Sequence, residues 1–256
     1  MLESQNITDI ELQIKKYPNF LKENGKPKAV SLLSGGLDSS MATFLLKEDF
    51  EIYPLMIDYK QKSFKPELAC VVNQIELYDY KELVIFESSI YKTLQMGLSS
   101  DHDDIDDKDA FTPARNIFFA VPAMIYAKYI GAKYVIRGTI QNDQSNKIIR
   151  DNNEIFWNKV TDISNYCVND SIQFISPISS LSKRDVIVLG LDKKFDFSLT
   201  WSCFNAVVES GKVHEDYKPC GVCANCVERN YSFEVIGESD PAKSIRYKKE
   251  TNFKYL

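Results

Sequence analysis

Ser34-Gly35-Gly36-Leu37-Asp38-Ser39 follows directly on the apolar run Ala29 to Leu33. A buried strand entering a glycine turn that opens a helix is an arrangement for holding an anion. The glycines let backbone N–H groups close around it, and the helix N-terminus adds the positive end of its dipole. Ser34 and Ser39 add hydroxyl donors, while Asp38 is out of place among groups that hold anions and points to magnesium or another cation beside the loop. No Gly-Lys-Ser/Thr follows at the spacing of a Walker loop. A second cluster is Cys220-Gly-Val-Cys223-Ala-Asn-Cys226, which is C-x2-C-x2-C. With Cys203, from Thr200-Trp201-Ser202-Cys203, it offers four thiolates, enough for a closed, structural tetrahedral zinc site. An iron–sulfur cluster uses the same spacing, His214 can replace Cys203 as a ligand, and free thiols are the remaining alternative. Cys70 and Cys167 fall in predicted helices and read as small core residues.

Alternating elements position these groups. Strands are predicted at 28–33, 51–57, 83–86, 134–136 and 172–175. Helices are predicted at 37–48, 66–78, 114–130, 152–168 and 181–189, with Pro66 in a first turn, Gly131 as a stop and Ser182 as an N-cap. Strand–helix alternation predicts an α/β fold with a doubly wound, parallel, five-stranded sheet. Ligands of such sheets bind at the carboxyl ends of the strands, where the Gly-rich loop, Asp58-Tyr59 and Gly138-Thr139 fall. Residues 1–27 read as an N-terminal extension with a weak helical pattern, 28–198 as the α/β domain, and 199–256 as a cysteine-bearing C-terminal region and tail. The acidic segment Asp101 to Asp109 reads as a solvated loop whose spacing matches no calcium loop.

Bulk properties exclude several classes. The chain has 256 residues, 44% of them hydrophobic and 26% charged, enough apolar material for a sizeable core. A formal net charge of −5 disfavours general nucleic-acid binding through phosphates. No run of about 18 apolar residues exists to cross a membrane, and no apolar signal segment opens the chain, so a cytoplasmic protein is expected.

The loop resembles the SGGxDS pyrophosphate loop of the ATP pyrophosphatase superfamily. A wider set of landmarks resembles the 7-cyano-7-deazaguanine synthase (QueC) family within it. These are Leu33-Ser34-Gly35-Gly36-Leu37-Asp38-Ser39-Ser40, Phe111-Thr112-Pro113-Ala114-Arg115-Asn116 for F-x-P-[GA]-R-N, Pro177 to Asp185 for T-P-L…K-x-[DE], and the four cysteines. The resemblance implies an adenine nucleotide alpha hydrolase-like fold, ATP, Mg2+ and Zn2+. It also implies a carboxylate activated by AMP transfer, attack by ammonia or another amine to give an amide, and a second activation to a nitrile. Carried over residue by residue, Leu33 to Ser40, Asp58 and Gly138 would hold the nucleotide. Tyr59, Gln61, Lys62, Arg115, Asn116 and Asp143 would meet the carboxylate substrate. Asp38, Arg115 and Lys183 would act in catalysis, with magnesium near Asp38 and Arg115 in a fork geometry that lysine cannot copy.

Two stretches depart from the family. Tyr59-Lys60-Gln61-Lys62-Ser63-Phe64-Lys65-Pro66-Glu67 stands where relatives have Y-x-Q-R-H-x-x-E, with Lys62 for arginine, Ser63 for histidine and one inserted residue. Asp143 to Asp151 stands where relatives have D-x-S-G-Y-P-D-C-R. A site that hydrogen-bonds one base discriminates through such partners. Activation of a carboxylate is therefore better supported than any particular substrate. A related enzyme that joins the activated deazaguanine carboxylate to an amine on a partner protein, as in defence gene clusters, is a second reading. The N-terminal extension and the acidic loop would be its partner surfaces. A tRNA-thiolating pyrophosphatase would want an activated cysteine and a basic RNA face, which Cys70, Cys167 and the net charge do not offer. A binding module without activity would have no use for the intact loop. A homodimer is compatible with all four readings.

Overall fold

The computed structural model of the chain describes residues 4–13, 25–101, 111–140, 150–205, 207–210, 214–242, 244–248 and 254–255. Most of the acidic segment and Asp143 lie outside the described residues, as does the side chain of His214.

The five predicted strands are present: β1 Lys28–Leu32, β2 Glu51–Asp58, β3 Val84–Glu87, β4 Tyr134–Ile136 and β5 Gln173–Ile175. They pair in parallel, Lys28 opposite Glu51, Leu55 opposite Val84, Ala29 opposite Tyr134 and Tyr134 opposite Gln173. A sixth strand that the sequence reading missed, β9 (Lys254–Tyr255), adds in parallel to β3, so the order is β5-β4-β1-β2-β3-β9. At two residues it is too short for period-two patterning to announce it.

Side-chain alternation along the strands divides the core between the sheet's two faces. Ala29 and Met56 join one apolar cluster, and Val30 and Leu55 the other. The first cluster takes in residues of α1 (Ser4–Gln13), α2 (Leu37–Leu46), α3 (Phe64–Tyr78) and α7 (Lys183–Asp192). The second takes in α5 (Arg115–Ile130) and α6 (Glu154–Cys167), while α4 is the single turn Ile90–Thr93. Buried Ser31 is satisfied by Thr43 Oγ1 at 2.6 Å, so the centre of β1 carries its hydroxyl without an unmet hydrogen bond.

Local signals place the helix ends. Gly131 stops α5 in the left-handed region at φ 75°. Ser182 caps α7 in a reciprocal box with Asp185. Helix α1 docks on α7 through the Ser180 hydroxyl donating to the Gln13 carbonyl at 2.6 Å, a Glu11–Lys193 ion pair, and buried Ile10.

Beyond the parallel sheet lies an antiparallel one, β6 (Val207–Ser210), β7 (His214–Lys218) and β8 (Ile245–Lys248), in that order. Helix α8 (Ala224–Glu234) starts within the cysteine cluster. Lys65 on α3 pairs with Glu215 on β7 at 3.0 Å, tying this sheet to the α/β domain. Among the described residues no helix is long and apolar enough to cross a membrane.

Gly190 in α7 faces Phe197, and a Cβ there would lie 2.2 Å from the ring. Gly190→Ala is expected to destabilise the fold by about 1–3 kcal/mol through overpacking, partly offset by the better helix propensity of alanine. A urea midpoint equal to wild type would mean that Phe197 shifts freely.

Candidate functional site

The chain reverses winding direction between β1, which leads outward to β2 and β3, and β4, which leads outward to β5. That switch point is where open α/β sheets bind ligands. The loop after β1 lies there. Gly35 adopts φ +76°, and a Cβ on it would sit 2.4 Å from the Glu67 carbonyl oxygen, so only glycine fits. Its own carbonyl accepts from the Trp201 amide at 2.8 Å. The two loop serines brace each other, Ser34 Oγ to Ser39 Oγ at 2.9 Å, and Ser39 donates to the Gly36 carbonyl. No side chain caps the N-terminus of α2, and the first-turn amides of a helix have no intrahelical acceptor.

A cavity of ≈ 720 Å³ opens above this loop. Leu33, Ser34, Gly36, Leu37 and Asp38 form its floor. Tyr59, Gln61, Glu67, Arg115, Asn116 and Lys183 line it from four other segments. Lys183 Nζ donates to Asp38 Oδ2 at 2.5 Å, bringing together residues 145 positions apart. The other oxygen, Asp38 Oδ1, is buried with no hydrogen-bond partner among the described residues. A carboxylate oxygen left open beside a phosphate-type loop fits a hard divalent cation such as magnesium.

Opposite, Arg115 and Asn116 occupy the first turn of α5. Ala114 precedes them at φ 56°, a left-handed conformation that costs about 1–2 kcal/mol in a residue with a Cβ. The Arg115 guanidinium lies beside the Tyr59 hydroxyl, and burial pushes that phenol up to about 12 although the guanidinium pulls it down. Asn116 is turned toward the Asp151 carbonyl at 3.1 Å and Asn152.

Other predicted residues stand back from the cavity. Ser40 is fully buried and accepts from Gln74 Nε2 at 2.9 Å, so its hydroxyl serves the core rather than a nucleotide. Asp58 accepts from Lys60, through both the backbone amide and Nζ, at 2.9 Å. Gly138 packs against α2, where a Cβ would lie 2.4 Å from the Ser39 nitrogen, so it spaces the loop without lining the cavity. Lys62 is exposed and is not part of the cavity wall.

Sequence reasoning missed several cavity residues. Glu67 accepts from Gln61 Nε2 at 2.9 Å and Ser63 Oγ at 2.7 Å. Trp201, Ser202, Phe204, Asn225, Glu228 and Arg229 bring the C-terminal region into the wall. Arg229 follows Cys226 by one helical step, a spacing that marks it in hindsight.

The four thiols of Cys203, Cys220, Cys223 and Cys226 lie within 4.8 Å of one another. That separation fits sulfurs held at about 2.3 Å from one tetrahedral ion. The Cys220 amide points at Cys203 Sγ (3.2 Å) and the Cys223 amide at Cys220 Sγ (3.4 Å), as amides do toward thiolate ligands. Cys70 packs beside the cluster, and burial pushes its thiol up, so it stays protonated.

Desolvation in the cavity wall raises the Glu67 carboxyl above its ordinary range, against the hydrogen bonds from Gln61 and Ser63. A native value above the unfolded one favours the fold below the unfolded value, and that contribution is lost as pH rises through the native value. The stability of wild type relative to Glu67→Gln should therefore fall as pH rises from the ordinary glutamate value, about 4.3, through the raised native one. A difference that stays flat in thermal melts over that window would mean that Glu67 titrates as an ordinary carboxylate.

Comparison with known proteins places this geometry in a family. The family described as "Queuosine biosynthesis protein QueC" matches residues 28–237. A 7-cyano-7-deazaguanine synthase of Methanobrevibacter smithii is 31% identical over 231 residues, covering 84% of this chain and 97% of the relative. One from Methanosphaera stadtmanae is 29% identical, with 84% and 97% covered. Among solved structures, a U34-tRNA thiolase NcsA from Methanococcus maripaludis, with its 4Fe-4S cluster, superposes with a TM-score of 0.51 at 16% identity, covering 76% of this chain and 66% of that one. That likeness is one of fold alone. With its loop, cavity and four cysteines arranged on this sheet, the chain belongs to the QueC family.

Proposed function

We propose that the protein uses ATP to adenylate a carboxylate, releases pyrophosphate, and passes the activated acyl group to a nitrogen nucleophile. The observation that carries this reading is the Asp38–Lys183 pair at the glycine loop, facing Arg115 across one cavity. The names of the relatives support 7-carboxy-7-deazaguanine as the carboxylate and ammonia as the nucleophile.

In this reading a carboxylate oxygen attacks the α-phosphorus of ATP, and the bond to the bridging oxygen breaks with its electron pair leaving on pyrophosphate. The loop amides and Lys183 hold that leaving group, and Arg115 orients the carboxylate. Magnesium, held by Asp38, would supply positive charge against the developing phosphate charge. Ammonia then attacks the carbonyl carbon, AMP leaves and a proton is lost, giving an amide. A second ATP adenylates the amide oxygen, and loss of AMP and the N–H protons gives the nitrile. Zinc at the four cysteines would be structural, since all four positions are protein thiolates. The setting of this chemistry is the cytoplasm.

A diverged ligase with an amine acceptor on a protein partner is the second reading. It is favoured by the Tyr59–Glu67 stretch, where exposed Lys62 does not line the cavity and Ser63 stands in place of the histidine that the family resemblance implies.

Pyrophosphate release from ATP with 7-carboxy-7-deazaguanine and ammonia, with products read by mass spectrometry, tests both. A nitrile product is the expected outcome. Product that stops at adenylate or amide favours the diverged ligase, and absence of pyrophosphate release overturns the substrate assignment. Asp38→Asn is expected to lower pyrophosphate release at least about a hundredfold with an unchanged melting profile. Wild-type turnover in that variant would remove Asp38 from the mechanism.

A further inference from the structure

A bland role for the cysteine cluster would be to anchor the C-terminal region. The contacts around it reach further. The Cys203 carbonyl accepts from the Trp201 indole N–H at 2.8 Å, and the Trp201 backbone N–H donates to the Gly35 carbonyl at 2.8 Å. One thiol-bearing residue is thus two hydrogen bonds from the centre of the glycine loop. The segment between them, 200–203, has no regular secondary structure to hold it. From the other side Arg229, on the helix that begins at the cluster, donates to Thr200 Oγ1 at 2.8 Å, Ser202 Oγ at 3.2 Å and the Phe197 carbonyl at 3.1 Å. Asp240 fixes Arg229 through both carboxylate oxygens, at 2.7 and 2.9 Å. Arg229 is buried, so its geometry is set by these partners rather than by water.

We propose that the four-cysteine metal centre is a positioning element of the nucleotide site. Metal held by Cys203, Cys220, Cys223 and Cys226 fixes segment 200–203 against α8. Trp201 carries that constraint to Gly35, and Trp201 is a positioning residue for the phosphate loop. Gly35 is packed on its Cα side by the Glu67 backbone, where a Cβ would lie 2.4 Å from the Glu67 carbonyl, and its own carbonyl is held by the Trp201 amide. Loss of the Trp201 bond therefore frees the loop toward the cavity, where the nucleotide would sit. Occupancy of the cysteine site then controls nucleotide affinity without any cysteine touching the nucleotide. This inference rests on the ATP reading above only for the identity of the ligand.

The test compares the zinc-loaded full-length protein with the same protein after chelation and with Cys223→Ser. Two readouts are taken: amide exchange of peptides covering 33–39 and 172–175, and the Kd for α,β-methylene-ATP with magnesium by calorimetry. Metal loss is expected to speed exchange at 33–39 and weaken nucleotide binding, each about fivefold to tenfold, while 172–175 stays protected. Loosening confined to 207–248, with loop exchange and Kd unchanged, would overturn the proposal and leave the cluster as a tail anchor. Trp201→Phe keeps every backbone group and all four cysteines and removes the indole N–H together with part of the buried ring. It decides the matter where the metal-free protein unfolds as a whole. With zinc content at wild type its loop is expected to exchange faster, and wild-type exchange would overturn the proposal. Absence of nucleotide binding by the zinc-loaded protein would sink the ATP reading, while the exchange arm still decides the coupling.

Discussion

A Cβ at Gly35 would meet the Glu67 carbonyl at 2.4 Å, and one at Gly138 would meet the Ser39 nitrogen at the same distance. Backbone here packs directly on backbone, from the loop after β1, the start of α3 and the end of β4. Interiors this dense have no slack for a methyl group. The loop is held in place because two other chain segments press on it. Everything else in the site is placed relative to that contact.

Charge is arranged around the loop in two groups. Asp38 and Lys183 form a compact pair on the floor, and Arg115 with Tyr59 forms the facing wall. The pair leaves one carboxylate oxygen open while neutralising the other, which is how a single aspartate can serve a cation within an anion site. Glu67 lines the same cavity in a poorly solvated position, its carboxyl raised by burial and held by Gln61 and Ser63.

The segment around Trp201 and the helix that starts at the cysteine cluster extend the cavity beyond the α/β domain. Lys65 and Glu215 join α3 to the antiparallel sheet, and Trp201 and Arg229 join the cluster to the loop. A small region with few buried apolar residues of its own depends on such links for its position. The same links give the cavity a wall that the α/β domain alone lacks.

Local physics was legible from the residues. The apolar run ending in Ser34-Gly35-Gly36 announced a strand, a turn and a helix start. Ser182 and Gly131 announced helix ends, and the three-residue cysteine spacing announced ligands on one turn, because backbone conformation and short-range hydrogen bonding are set by neighbours in sequence. The two-residue β9 and the antiparallel strands were not legible, since their pairing partners are remote and their patterns short. Nor was the inward turn of Ser40, whose acceptor role follows from Gln74 on another helix. The meeting of Lys183 with Asp38, of Trp201 with Gly35 and of Arg229 with Thr200 was decided by tertiary structure alone. Residues separated by tens to more than a hundred positions are brought within hydrogen-bond reach only by packing of the whole sheet, and no local propensity encodes that distance.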